Sequence, residues 1–375
     1  MIYFDNAATT KYKPEKVYEA VNYYLREFGV SPGRGSYSVG IDASRMLYKT
    51  RTIVGKYFGM KRPDRVVFTK NSTEAINLFF GGILNKGDHV IISCYEHNAV
   101  LRPIQTLKEK GIIDYSVIER DDLLLTAEEI YEKYARKNTR VLALTLASNL
   151  TGRIIFREEW LKYFKEKNVI TFIDSSQGAG KIKLNMQEQA IDFLAFTGHK
   201  DLLAIPGVGG LCCESNENIR PLIQGGTGIH GEEYVNPDIF PESFEAGTLN
   251  MPAIWSLHES IEYINKSGTE NNNKEKKLLS YLLQELKKLN NIIIYDEEYQ
   301  RVSTCSINIR NYASDKLVAL LDQNGVCVRG GIHCAILAHE AIGTVKTGTV
   351  RISLSYLNSE KEIDVLINLL RNVGD

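Results

Sequence analysis

Long apolar runs are missing from this 375-residue chain. No stretch approaches the roughly 20 residues that a helix needs to cross a bilayer, so no membrane span is expected. A dominant charge is missing too: 45 basic against 46 acidic side chains leave a net charge of −1. That balance offers no field for gripping nucleic acid or an anionic membrane without a local basic patch. The basic clusters are short, and Lys274, Lys276 and Lys277 fall on a helical pattern among acidic and polar neighbours, which reads as a solvated face. Cysteine is sparse, with six residues and no CxxC pair. The sequence therefore argues against a disulfide framework or structural zinc, predicts no metal, and points to a reducing compartment. The opening Met-Ile-Tyr-Phe-Asp-Asn puts no charged leader before an apolar stretch, so no signal peptide is expected and a cytoplasmic location is. Internal repeats and low-complexity tracts are also lacking.

What is present is an ordinary globular balance, 43% hydrophobic and 24% charged, long enough for one large domain and a smaller one. The middle of the chain alternates short apolar runs with helical patterns. Strands are predicted at 65–69, 89–93, 115–118, 141–145, 169–174 and 192–197, with helices at 73–84, 127–135 and 157–165. Runs that are apolar on both faces, separated by helices, indicate a mostly parallel sheet covered on both sides, an α/β fold. Residues 208–213 suggest one more strand, possible in the antiparallel sense. Residues 224–237 are rich in Gly and polar side chains and read as an ordered loop or linker. A helix is expected from Pro252, then a surface turn at 270–277, then a second helix over 273–289. Strands at 292–295, 304–309 and 349–354 with helices at 314–323 and 359–371 complete a small α+β unit. The division expected is a large domain over 15–250, and a small domain from 1–14 and 251–375.

In such sheets ligands bind beyond the carboxyl ends of the strands. The residues there form a consistent set. Asn71-Ser72-Thr73-Glu74 joins hydroxyls to a helix N-terminus, which suits a phosphate, although alone it also reads as an ordinary helix cap. Glu96-His97 offers a ring that can stack on a planar ligand; alone, it also reads as a satisfied surface histidine. Asn149 offers an amide, or merely closes a turn. Asp174 ends a buried strand and needs a partner, such as a pyridinium N–H. Lys200 follows Thr197-Gly198-His199, where desolvation would lower its pKa and make it nucleophilic towards an aldehyde. A phosphate seat, a ring stacker, a pyridine-nitrogen partner and a Schiff-base lysine, in one order, are what pyridoxal 5′-phosphate (PLP) needs.

With Asp5 to Thr10, Thr73 to Asn77, Gly247-Thr248 and Arg351, these residues resemble the class V aminotransferase superfamily of fold-type I PLP enzymes. Arg329-Gly-Gly-Ile-His333-Cys334-Ala335 followed by Gly348-Thr-Val-Arg351 is similar to the type II cysteine desulfurases and selenocysteine lyases within it. The likeness covers nearly the whole chain. It implies a seven-stranded-type sheet between helices in the large domain, with the catalytic cysteine loop in the small one. It further implies that Lys200 holds PLP as a Schiff base and moves protons at the substrate's α-carbon. Asp174 would keep the pyridine nitrogen protonated, His97 stack on the ring and serve as a catalytic acid/base, Gln177 bond its phenolic oxygen, and Ser72, Thr73, Thr197 and His199 hold the phosphate. Thr248 would reach the phosphate of a neighbouring subunit, implying a homodimer with shared sites. Asn149, Arg329 and Arg351 would serve the substrate carboxylate.

Cys334 would set the reaction by attacking the sulfur of L-cysteine, giving alanine and a persulfide, with His333 and Arg329 favouring the thiolate. A selenocysteine lyase, or a class V aminotransferase or lyase with Cys334 as a bystander, is the alternative. A sulfur-acceptor protein is an expected partner. Three departures stand out. Asp201 to Pro206 replaces the Gly-Pro pair common close behind the lysine. Ile336 stands where Pro is frequent, and Ser72 where Thr or Ala is.

Overall fold

The computed structural model describes residues 1–33 and 37–373. The chain opens with β1 (Ile2–Tyr3), then the helices α1 (Glu15–Tyr23) and α2 (Ser38–Tyr57). An alternating series follows: β2 (Val66–Thr69), α3 (Ser72–Ile83), β3 (His89–Ser93), α4 (Asn98–Glu109), β4 (Asp114–Ile118), α5 (Ala127–Tyr134), β5 (Thr139–Thr145), α6 (Glu158–Glu166), β6 (Ile170–Asp174), β7 (Phe193–Thr197) and β8 (Gly209–Cys213). The seven strands pair in the order β2-β8-β7-β6-β5-β3-β4. Only β8 runs against its neighbours; the expected α/β sheet is found, with the 208–213 run as its antiparallel member.

Both faces of this sheet are buried, which is why its strands carry apolar residues at successive positions. Val90, Ile92, Val141 and Ala143 pack on one side with Phe79 and Phe80 of α3, where Phe79 stacks on Phe172 at 4.3 Å. Ile91, Leu142 and Leu144 pack on the other with Trp160 and Phe164 of α6. Each fully buried ring of this kind contributes roughly 1.5–3 kcal/mol.

The chain leaves β3 towards β4 on one side and returns to β5 on the other, so a topological switch point lies between β3 and β5. Crevices at such points, beyond the strands' carboxyl ends, are where α/β sheets bind ligands.

The last third holds α7 (Met251–Lys287), β9 (Ile292–Ile294), β10 (Thr304–Ile309), α8 (Ser314–Gln323), β11 (Val326–Cys327), β12 (Arg329–Gly331), α9 (Ile336–Ala341), β13 (Thr349–Ser353) and α10 (Glu360–Arg371). Its antiparallel sheet has the order β12-β13-β10-β9. β1 pairs with β11, so the start of the chain rests on this unit.

One expectation fails. The surface turn at 270–277 does not exist: α7 is a single helix of 37 residues running straight through it. Two of its polar residues face inward, and the rest lie on or near the solvent face of the helix. Asn272 donates to the carbonyls of Gly180 and Lys181, and Glu275 is buried against Lys181 and Ser303. Lys274, Lys276 and Lys277 are exposed, as their pattern predicted.

Candidate active site

Five strand ends converge on one cavity of about 200 Å³. β2 delivers Ser72 and Thr73 at the first turn of α3, whose N-cap Asn71 accepts the Glu74 N–H at 3.0 Å. β3 delivers His97, itself the cap of α4: its Nδ1 accepts from the Ala99 N–H at 3.0 Å. A neutral His97 therefore carries its proton on Nε2. β5 delivers Asn149, β6 delivers Asp174 and Gln177, and β7 delivers Thr197, His199 and Lys200. Nine of the residues singled out from sequence thus line one space.

The hydrogen bonds fix these groups. Asp174 Oδ1 accepts from the backbone N–H of Ser176 at 2.9 Å and its hydroxyl at 2.5 Å. Gln177 donates to the Ala7 carbonyl at 2.9 Å, and His199 Nδ1 lies 3.0 Å from Thr9 Oγ1. Thr10 donates to the carbonyls of His199 and Lys200, and Lys13 Nζ donates to the His199 carbonyl at 2.7 Å. The segment from Ala7 to Lys13 thus straps the lysine loop from outside.

Burial dominates the electrostatics. It lowers the pKa of the Lys200 amine, with the Asp174 carboxylate opposing. Burial and then the charge on Lys200 push His97 down to about 4, and the same two causes push His199 down to about 4. Both rings are neutral near pH 7. Glu96, fully buried beside His97, is pushed up to about 8 by burial despite accepting from Ser93 Oγ at 2.6 Å and the Thr145 N–H at 2.8 Å. Its other oxygen has no partner. The residue motif drew attention to His97 and left Glu96 without a role; an acidic residue at the end of an apolar strand was the only signal.

Two buried atoms of the cavity wall lack partners as well: Thr197 Oγ1 and Asn149 Oδ1. Unpaired buried polar atoms cost free energy, and both belong to residues lining the cavity. Oxygen-rich ligand groups bearing donors, together with an anion at the α3 N-terminus, would satisfy this set. The residues fit the phosphate, ring and aldehyde of PLP.

Cys334 lies outside the cavity but next to it. The thiol is exposed on a cleft of about 610 Å³ that shares Thr73 and His97 with the cavity wall. Its loop is pinned by three bonds: the Asn98 N–H to the Cys334 carbonyl at 2.8 Å, Asn149 Nδ2 to the His333 carbonyl at 2.6 Å, and His333 Nε2 to the Arg329 carbonyl at 3.1 Å. His333 and Cys334 both take left-handed backbone, at φ of 55° and 56°. Burial pushes His333 down to about 3, so its ring is neutral near pH 7 and lends the thiol no positive charge.

Arg329 and Arg351 face each other across β12 and β13, outside the cavity lining. Arg351 is buried, with Nη2 on Asp5 Oδ1 at 2.6 Å and Nη1 on the Asn149 carbonyl at 2.9 Å; its Nε has no partner. A carboxylate reaching it would displace Asp5 or take the Nε edge. Thr248 stands apart again, on two clefts at the outer surface, one of which also reaches His199.

Comparison with known proteins agrees with this geometry. The family model "Aminotransferase class-V" matches residues 2–366. The chain belongs to that family. A "Probable cysteine desulfurase" of Methanothermobacter thermautotrophicus is 32% identical over all of this chain and 94% of its own. The "Cysteine desulfurase" of Wigglesworthia glossinidia brevipalpis is 30% identical over all of this chain and 92% of its own. Among solved structures, the apo cysteine desulfurase of Thermococcus onnurineus NA1 superposes with a TM-score of 0.89 at 29% identity, covering 99% of this class-V chain and 94% of that one.

Proposed function

We propose that this chain is a PLP-dependent cysteine desulfurase, converting L-cysteine to L-alanine and leaving the sulfur as a persulfide on Cys334. The convergence of five strand ends on Lys200, with an exposed thiol on the adjoining cleft, carries this reading. Lys200 holds the cofactor aldehyde and then moves a proton at the substrate's α-carbon; a desolvated amine is suited to both. Asp174 answers the pyridine nitrogen, His97 the ring face, and Gln177 the phenolic oxygen. Ser72, Thr73, Thr197 and His199 hold the phosphate. Asn149, Arg329 and Arg351 orient the substrate carboxylate. Bound there, PLP supplies an electron sink for charge leaving the α-carbon. The Cys334 thiolate attacks the substrate sulfur as the C–S bond breaks, an S–S bond forms, and the β-carbon gains a proton.

The exposure of Cys334 supports onward transfer of sulfur to an acceptor protein. Apolar side chains stand exposed around the clefts that hold Thr248, notably Tyr48, Leu222 and Ile223. Such patches mark association surfaces. They support a homodimer in which Thr248 serves the partner's phosphate. The two units, 15–250 and 1–14 with 251–375, would carry the cofactor and the cysteine loop respectively. All six cysteines are unpaired, which supports a reducing cytoplasm, and no helix among the described residues is long and apolar enough to cross a membrane.

The test is to incubate PLP-treated protein with L-cysteine and quantify alanine and protein-bound sulfane sulfur. With L-cysteine below the enzyme concentration, so that each chain turns over at most once, wild type should yield both in equal amounts. Cys334→Ala should lose the bound sulfur, and Lys200→Ala both products. Full sulfur release by Cys334→Ala would remove Cys334 as the nucleophile. A kcat/KM favouring selenocysteine, retained in Cys334→Ala, would reassign the chain as a selenocysteine lyase.

A further inference from the structure

Directly behind Lys200 lies a buried charged junction to which the proposed reaction assigns no role. Lys181 Nζ donates to Asp201 Oδ1 at 3.0 Å and to Glu275 Oε2 at 2.9 Å, with all three side chains at most 14% exposed. Asp201 Oδ2 accepts from the Gly178 N–H at 3.3 Å. Glu275 accepts from the Tyr356 N–H at 3.0 Å and from the Ser303 hydroxyl. Asn272, one helical turn away on α7, donates to the carbonyls of Gly180 and Lys181. Gly180 lies so close that a Cβ on it would stand 2.3 Å from the Asp201 carbonyl oxygen. A void of about 20 Å³ between Thr10, Asp201, Glu275 and Tyr356 has room for a single water.

The junction joins three pieces of the machine. Asp201 follows Lys200. Gly178 to Lys181 follow Gln177. Glu275, Ser303 and Tyr356 belong to the C-terminal third, which also carries Arg351 and Cys334. Lys13, on the strap over the lysine loop, adds a second amine nearby: burial lowers its pKa to about 8, with the Asp201 carboxylate opposing. The charges alternate as Lys13, Asp201, Lys181, Glu275, and balance. Buried ion pairs rarely add stability over apolar packing, and fixing one arrangement of the chain is their best-attested use.

We propose that Asp201 is a positioning residue: clamped by Lys181 to Glu275, it sets where the Lys200 amine stands and couples it to the unit that bears Cys334. The inference rests on the reading of Lys200 as the cofactor lysine. The Asp201 carboxylate also favours the cationic form of the Lys200 amine, together with Asp174 from β6 and against Arg351 and Arg329 from β13 and β12; neutral His97 and His199 complete its surroundings.

The test compares PLP-loaded wild type with Asp201→Asn, Asp201→Glu and Glu275→Gln. The visible absorption of the lysine-bound cofactor is titrated with pH, kcat and KM for L-cysteine are measured, and amide exchange of residues 201–204 is followed in the cofactor-free proteins. In Asp201→Asn the titration midpoint should move to lower pH. kcat should fall between about tenfold and a hundredfold with KM little changed, as misplacement of a reacting group does. Exchange at 201–204 should rise about tenfold as that loop opens locally. Asp201→Glu should recover part of each. Glu275→Gln, which leaves Asp201 and its bond to Gly178 in place, should raise the same exchange rates if Asp201→Asn does not fold. An Asp201→Asn that merely unfolds earlier, with midpoint, kcat and exchange unchanged, would overturn the inference. A wild type that takes up no PLP would bring down the reading of Lys200 itself, a separately visible result.

Discussion

At the scale of single residues, the site is a set of polar atoms waiting for partners. Thr197 Oγ1 is the plainest case, buried and unpaired. Replacing it with Val removes an unsatisfied group from the empty protein and a donor from the loaded one. Thr197→Val should therefore leave the unfolding temperature of the cofactor-free protein unchanged or raised. A hydrogen bond to a charged group contributes about 1.5–3 kcal/mol, so its PLP affinity should fall by roughly ten- to a hundredfold, read by fluorescence titration. Glu96 makes a pH-dependent counterpart. Its folded pKa, about 8, is raised above the ordinary 4.5. Its contribution to stability is therefore full below pH 4.5 and lost as pH rises through 8. Glu96→Gln cannot ionise, so its unfolding midpoint in urea should fall less than the wild type's between pH 6 and 9. An equal fall in both would mean that Glu96 does not titrate there. These residues differ in how far sequence revealed them. Lys200, Asp174 and Thr197 were legible because they close apolar strands, where a polar side chain has to be explained. Lys181 and Glu275 were not, because an isolated charge in a polar stretch has no pattern to betray its burial.

At the scale of elements, strand and helix alternation was readable over 65–213 because buried parallel strands show as unbroken apolar runs. α7 was misread as two helices, since its polar middle resembles a turn unless one knows that Lys181 waits opposite. The short β1 and β11 were not foreseen; strands of two residues carry no periodicity. The joint between the two main sheets can be probed at Gly152, in the turn after β5. Its φ is +78°, and a Cβ there would stand 2.2 Å from the Thr304 carbonyl oxygen at the start of β10. Gly152→Ala combines backbone strain with a clash against main chain, and should lose about 2–4 kcal/mol of stability in urea unfolding. A loss below about 0.5 kcal/mol, typical of neutral surface changes, would show that the joint yields.

At the scale of the whole molecule, the exposed apolar side chains near Thr248 bear on assembly. Sedimentation at micromolar concentration should give twice the monomer mass. Tyr48→Glu together with Leu222→Glu should shift the protein towards monomer, and a wild type that sediments as a monomer would end the shared-site arrangement. The fold class followed from sequence with little difficulty. The way the first thirteen residues strap the lysine loop while pairing with the far end of the chain did not, because nothing local in a segment so short records a contact nearly 350 residues away.

The left-handed backbone at His333 and Cys334 gives this whole-molecule view a last turn. Each non-glycine residue in that region costs roughly 1–2 kcal/mol, and a glycine at 334 would sit there freely. Cysteine is thus the more expensive occupant of a place shaped for the residue with no side chain. The protein holds it there with borrowed anchors, Asn98 from α4 and Asn149 from the turn after β5. Cutting either anchor should let the loop relax and withdraw the sulfur from its cleft, leaving the thiol intact and its reach lost. Delivery of sulfur is in this sense a property of the large sheet as much as of the cysteine.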